Sequence, residues 1–288
     1  MAEIAKDGRL GARETDSVGT AGLPQPHAWA WRHGPQAKSR ETAVIPFIVI
    51  RLHRVTSTQS WVKDWAEMGA REGLVLIARE QTAGRGRLDR RWESPPGGLY
   101  LSLLLRPAIP LAQANHLTML VSLAAIDACQ AIAGVHPRPK WPNDLLLHNR
   151  KLAGVLTELA GEHNRLRFAI IGLGLNVNNT FADGALSHAA ISLREVVGKP
   201  LDVDALADAF LTALAQRYDA FLAGTSPHAA WAQRLEPLGR RVRVMQRGQP
   251  PLVGRAIGVT AAGALQVQDD MGVVHLIWAG DVAILQSE

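Results

Sequence analysis

Two long stretches of helical periodicity, Asn115 to Ala133 and Val203 to Leu222, constrain this chain more than anything else in it. In the first, Leu117, Leu120, Val121, Ala124 and Ala128 fall on one stripe. In the second, Leu206, Phe210, Leu214, Tyr218 and Phe221 do, with Asp202 placed to cap the start. Each stripe must be buried against something. The other apolar runs are of strand length: Phe47 to Val55, Leu74 to Ala78, Leu99 to Leu105, Leu145 to Leu147, Leu152 to Leu159 and Arg167 to Ile171. Leu145 to Leu147 and Leu152 to Leu159 flank the polar His148-Asn149-Arg150-Lys151, which predicts a hairpin. Thr58 to Gly69 reads as a shorter helix with Trp61, Trp65 and Met68 on one stripe.

Both ends of the chain have a different texture. Beyond Leu235, five short strands are expected: Val242 to Met245, Leu252 to Val259, Ala264 to Val267, Val273 to Ile277 and Val282 to Leu285. Gly248, Ala262-Gly263 and Asp269 to Gly272 separate them, which predicts a small SH3-like β-barrel with its boundary at Pro237-Leu238-Gly239. In residues 1–43 only Ile4, Leu10, Val18 and Leu23 represent Ile, Leu, Val or Phe, about 9% where a core needs roughly 20%. The expected organisation is a disordered extension at 1–43, a catalytic domain at 44–235 and the barrel at 236–288. At roughly 150 residues per domain, 288 residues accommodate that division.

A chain that is 47% hydrophobic and 20% charged can bury a sizeable core, and its net charge of +5 suits anionic substrates without demanding nucleic acid. Cys129 is the only cysteine, which excludes an internal disulfide framework and fits a reducing compartment. On the first long helix it reads as a small buried hydrophobe. No window approaches the roughly 18 apolar residues of a membrane span, and Met1 to Arg9 lacks an apolar signal core. A cytoplasmic protein with no membrane partner is therefore expected. The ten histidines form no paired ligand motif, and no Gly-x-Ser-x-Gly elbow occurs.

The chemistry concentrates in a loop from Gln81 to Leu99. Arg79 to Arg91 contains five arginines against Glu80 and Asp89, a net +3. Gly84 and Gly86 let backbone N–H groups approach a ligand closely, while Arg85 and Arg87 bring fixed charge suited to a carboxylate and phosphates. Asp89 stands where a dinucleotide fingerprint has its third glycine, and no Gly-Lys-Ser/Thr follows for a Walker loop. A solvated basic loop or a nonspecific nucleic-acid patch has the same composition. Lys140-Trp141-Pro142-Asn143-Asp144 adds a second polar cluster. Asn143 can pair with an adenine edge, Asp144 can hold Mg²⁺, and Lys140 and Lys151 can converge on one anion. Singly, each also reads as an ordinary surface lysine or turn residue.

Together these blocks resemble the biotin protein ligases: Ser57-Thr58-Gln59, Gln81 to Arg87 with Trp92 and Ser94-Pro95 following, Lys140 to Asp144, Arg150-Lys151-Leu152-Ala153-Gly154, and Gly172-Leu173-Gly174-Leu175-Asn176. The likeness runs in order from about Val44 to the C-terminus. It implies an α+β fold, a mixed-sheet biotin/lipoate ligase-like catalytic domain followed by the SH3-like barrel. It also implies an ATP- and Mg²⁺-dependent ligase that makes biotinyl-5′-adenylate and passes biotin to one lysine of a biotin carboxyl carrier protein.

By that resemblance Ser57, Thr58, Gln59 and Gln81 contact the biotin head group, and Arg85, Gly86 and Arg87 close over the carboxylate and later the adenylate phosphate. Lys151 stabilises the carboxylate and phosphoryl oxygens, Lys140 assists, and Arg87, Lys140 and Lys151 form the catalytic set. Asn143, Asn176, Gly84 and Lys140 serve the nucleotide, and Asp144 holds Mg²⁺ or positions a lysine. Gln59 stands where many members have asparagine, and Ala190-Ile191 where some place an adenine-covering aromatic. Lipoate or octanoate ligases share the general fold and a similar lysine region. A repressor-type ligase needs a winged helix of about 60 residues, so residues 1–43 predict a ligase without DNA binding. A homodimer is compatible with the family.

Overall fold

The computed structural model describes residues 45–181, 188–236 and 238–285. The expectations for residues 1–43 and for Pro237 therefore lie outside the described residues.

Seven strands form one mixed sheet: β1 (Ile48–Val55), β2 (Leu74–Gln81), β3 (Leu99–Leu105), β4 (Arg138–Lys140), β5 (Asp144–Leu147), β6 (Arg150–Glu162) and β7 (Arg165–Leu175). Their order is β1-β2-β3-β7-β6-β5-β4, with β1 parallel to β2 and every other pairing antiparallel. The two faces differ because side chains alternate along a strand. On one face Leu101, Leu103, Leu105, Ile171, Leu173 and Leu175 join the apolar core. Helix α2 (Asn115–Ala133) covers that face, with Thr118 hydrogen-bonded to Thr157 of β6 at 2.8 Å. The other face carries Ser102, Gly172 and Gly174, together with α1 (Thr58–Glu67).

Helix α4 (Val203–Leu222) packs along α2 and buries Leu206, Phe210, Leu214, Tyr218 and Phe221 as its periodicity requires. Asp202 Oδ1 accepts from Asp204 N at 2.9 Å and Ala205 N at 3.1 Å, a side-chain cap at the expected position. Two short helices, α3 (Leu193–Val197) and α5 (His228–Ala232), complete this part.

The second sheet is antiparallel: β8 (Arg241–Met245), β9 (Leu252–Val259), β10 (Leu265–Gln268), β11 (Val274–Ile277) and β12 (Asp281–Ile284), in the order β11-β10-β9-β8-β12. This matches the expected small C-terminal β-domain. The connector before it is docked rather than loose: Glu236 N donates to Pro139 O at 2.7 Å, and its carboxylate pairs with Arg138 at 2.9 Å.

Three expectations need correction. The stripe on α1 is Thr58, Gln59, Val62, Trp65 and Ala66, while Met68 is 57% exposed, because the helix stops at Glu67 and Met68 only caps it. The run Leu111–Ala133 is long and apolar enough to cross a membrane, with mean hydropathy 1.5, contrary to the sequence reading. Eleven of the α2 residues are nevertheless buried, so its hydropathy reflects a core position covered on several sides. The turn between β5 and β6 is only His148-Asn149, both at positive φ (50° and 62°), so Arg150 and Lys151 belong to β6.

Candidate active site

On the α1 side of the sheet lies a cavity of about 320 Å³. Of the residues singled out from sequence, Ser57, Thr58, Gln59, Gln81, Arg85, Gly86, Arg87, Lys140, Asn143, Asp144 and Lys151 all line it. Gly84 and Asn176 do not. Gly84 is buried, and its carbonyl accepts from Trp92 N at 3.0 Å. Asn176 is 5% exposed and donates to Lys151 O at 3.3 Å and Ile191 O at 3.2 Å, tying β7 to β6 and to the Ala190-Ile191 segment.

One end of the cavity is neutral and polar. The start of α1 brings Ser57, Thr58 and Gln59 against the sheet, all buried. Gln81 Oε1 accepts from Thr58 N at 2.8 Å and Thr58 Oγ1 at 3.0 Å, while Gln81 Nε2 donates to Ser94 Oγ at 2.9 Å. Thr58 Oγ1 lies 2.8 Å from Ser102 Oγ, which donates to Gln59 Oε1 at 3.1 Å. Ser57 Oγ is buried with no hydrogen-bond partner among the described residues, as is the Trp92 indole N–H elsewhere on the cavity wall. Ser57 stands at the N-cap of α1 yet caps nothing. An unsatisfied buried hydroxyl costs about 1–3 kcal/mol, so a ligand group that engages it gains correspondingly.

The spacing Gly172-x-Gly174 has a steric cause. A Cβ at Gly172 would sit 2.7 Å from Gln59 Oε1, and one at Gly174 would sit 2.5 Å from the Trp92 indole. Only glycine lets Gln59 and Trp92 lie flat on β7 and wall the cavity.

The other end is cationic. The Gly-Arg-Gly-Arg loop is a small hairpin: Arg85 bridges Arg91, Gly86 N donates to Arg90 O at 2.7 Å, and Leu88-Asp89 turn at φ 54° and 59°. Arg87 reaches inward and donates to Asn143 Oδ1 at 3.1 Å. Burial holds its pKa below the ordinary arginine value, partly offset by the charges of Asp281 and Asp144. Asn143 Nδ2 donates to Val155 O at 2.7 Å, fixing the turn between β4 and β5. Lys151 Nζ lies 2.8 Å from Asp144 Oδ1 and 5.3 Å from the Trp92 ring centroid. Lys140 forms no ion pair among the described residues.

Asp144 is thus paired with Lys151. Its carboxylate is engaged by an ammonium, and no group of three His, Cys, Asp or Glu among the described residues could hold a metal ion. The donor set does not fit a resident metal centre.

Sequence reasoning missed Ser102, Glu158 and Asp281. Ser102 had a signal, as the one polar residue in the run Leu99–Leu105. Glu158 looks like any outward residue of a strand, and Asp281 comes from the second sheet, where Arg90 grips it.

A polar pocket, neutral at one end and lined by Arg85, Arg87, Arg90, Arg91, Lys140 and Lys151 at the other, suits an enzyme that binds a small carboxylic acid and activates it against a second anion. Residues 51–176 match the biotin/lipoate A/B protein ligase family, and residues 238–285 match the biotin protein ligase C terminal domain. The bifunctional ligase/repressor BirA of Bacillus subtilis is 34% identical over 80% of this chain and 72% of its own length. The biotin--[acetyl-CoA-carboxylase] ligase of Mycobacterium tuberculosis is 34% identical over 75% of this chain and 80% of its own. A solved biotin protein ligase from Aquifex aeolicus, in complex with biotin and ATP, superposes with a TM-score of 0.70 at 30% identity, covering 83% of this chain and 99% of that one. The chain belongs to the biotin protein ligase family.

Proposed function

We propose that this ligase binds biotin with its ring system at the Ser57–Gln81 end and its carboxylate directed to Arg87 and Lys151. The observation that carries the reading is the unpartnered Ser57 hydroxyl at the neutral end, opposite guanidinium and ammonium groups at the other. A carboxylate oxygen attacks the α-phosphorus of ATP, the bond from that phosphorus to the β-phosphate oxygen breaks, and pyrophosphate leaves. Both reactants are anionic, so Arg87, Lys151 and Lys140 offset their repulsion and stabilise the crowded phosphorus. The acyl carbon of the adenylate then takes the amine of a carrier-protein lysine, AMP departs with the bonding pair, and the amine loses a proton.

Asn143 suits the nucleotide because it keeps one amide N–H and one oxygen lone pair unspent. Asn176 and Gly84 support the strands and loop instead. Magnesium enters as part of the co-substrate MgATP. Arg85 and Gly86 carry the hairpin over the mouth, which shields the mixed anhydride from water. We further propose that the ligase works in the cytoplasm without binding DNA, with the domain division near residue 235.

The test incubates the protein with MgATP, biotin and a biotin-carrier domain, and probes the carrier with streptavidin. A parallel reaction offers lipoate and octanoate to a lipoyl domain. Biotin transfer that falls at least about 100-fold in Lys151→Ala or Arg87→Ala is expected, as for loss of a group that stabilises charge in the transition state. Lipoyl transfer without biotin transfer would overturn the substrate assignment.

A further inference from the structure

Glu158 of β6 is a charged group that the proposed chemistry does not use, yet it holds two residues that line the cavity, Arg85 and Gln59. Its carboxylate takes both terminal nitrogens of Arg85, Nη2 at 2.7 Å and Nη1 at 3.2 Å. Its Oε2 also accepts from Gln59 Nε2 at 3.3 Å. Gln59 is buried and accepts from Ser102 Oγ, which accepts in turn from the Thr58 hydroxyl, while the Thr58 backbone N–H reaches Gln81. Hydrogen bonds therefore run unbroken from the neutral end of the cavity to the first arginine of the hairpin.

The fork of Arg85 is spent on this contact, and a bidentate pair fixes a guanidinium in both position and plane. Arg87, two residues on, has no carboxylate in contact among the described residues and donates only to Asn143. At the far side of the turn Arg90 grips Asp281. The hairpin is thus fastened at both ends, with its unpaired guanidinium between them.

We infer that Glu158 is a positioning residue for the ligase reaction. It anchors the hairpin to β6 through Arg85, so that Arg87 is the guanidinium presented to the substrate carboxylate and phosphate. Gln59, sharing the Glu158 oxygen, links that anchor to the end of the cavity that holds the ring system. Half-exposed ion pairs add little to stability, so the benefit lies in geometry. This inference rests on the biotin-binding reading above.

The experiment compares Glu158→Gln and Glu158→Asp, each alone and combined with Arg85→Ala, in the full chain. Biotin-dependent exchange of pyrophosphate into ATP gives kcat and KM for biotin. Trypsin cleavage between Arg85 and Arg91, without ligands, reports on the hairpin, and thermal melting reports on the fold. Glu158→Gln should raise the KM for biotin about tenfold, accelerate hairpin cleavage and leave the melting temperature nearly unchanged. Glu158→Asp should fall between it and the parent. In the Arg85→Ala background the Glu158 substitutions should have no further effect, since partners that act together are non-additive. Equal losses in both backgrounds, or unchanged cleavage in a folded variant, would overturn the anchor. If Glu158→Gln does not fold, Glu158→Asp carries the same comparison. Cleavage needs neither biotin nor ATP, so it judges the anchor even if the parent chain fails to exchange, which would overturn the biotin reading instead.

Discussion

At the residue scale, the motif glycines and the buried acids make separate predictions. Gly174→Ala places a methyl 2.5 Å from the Trp92 indole, so the ring must leave the cavity wall and the Lys151 ammonium loses its aromatic face. Biotin transfer should drop by about tenfold or more, because small misplacements of a charged group are costly to catalysis. Circular dichroism should show the fold intact, and an unaffected rate would mean that Trp92 does not set the site. Cys129 is fully buried and its thiol is pushed up to about 12 by burial, and burial likewise lifts the Tyr100 hydroxyl to about 12. Both groups stay protonated in the folded chain while the unfolded chain ionises them at lower pH. Their contribution to stability is thus complete below the unfolded values and is lost as pH rises toward 12. Urea midpoints should fall across that alkaline range, and at pH 8 a thiol reagent should label Cys129 only after denaturation. Rapid labelling of the native protein would contradict this placement.

At the element scale, what the sequence disclosed was whatever has a local cause. The α2 and α4 stripes and the Asp202 cap were legible because side-chain periodicity and capping act within one or two turns. Strand β4 was not, because a three-residue edge containing Pro139 has no periodicity to read and exists through pairing with β5. Helices α3 and α5, five residues each, are likewise too short to show a stripe. Three tight turns also escaped full description: Leu88-Asp89, His148-Asn149 and His163-Asn164 all have positive φ without glycine. Of the site, the motif residues were legible, but the distant acids Glu158 and Asp281 were not, since only folding brings them to the arginines. The Leu88-Asp89 turn carries a prediction of its own. Each left-handed non-glycine residue costs about 1–2 kcal/mol, part of which glycine would return as extra unfolded-state entropy. Asp89→Gly should therefore stabilise the chain by about 0.5–1 kcal/mol in a denaturant titration. Destabilisation would show that the Asp89 side chain makes a contribution larger than the strain.

At the scale of the whole molecule, the two sheets share one apolar core and one active site. Val242, Val244, Ala256, Val259, Leu265 and Val267 of the second sheet belong to the same buried cluster as α2 and the first sheet. Polar contacts reinforce it. The loop 261–263 accepts from Asn115 Nδ2 at 2.8 Å and Trp141 Nε1 at 2.9 Å, and His116 Nε2 lies 2.8 Å from Ala261 O. Trp141 belongs to the Lys-Trp-Pro-Asn-Asp motif, so that motif faces two ways: Asn143 and Asp144 toward the cavity, the indole toward the C-terminal sheet. Asp281 completes the link by holding Arg90 beside the cavity. A core continuous across both sheets leaves neither with an apolar face of its own to bury, so residues 45–285 should unfold in one cooperative step. Calorimetry should give a single endotherm with equal calorimetric and van't Hoff enthalpies. Trp141→Phe removes one buried hydrogen bond and leaves the Gly263 carbonyl unpaired, which should cost about 1–3 kcal/mol. That loss should lower the whole transition rather than split it. Two resolved endotherms in the parent chain, or a Trp141→Phe variant in which only part of the molecule melts early, would mean that the C-terminal sheet folds independently and merely leans on the ligase domain.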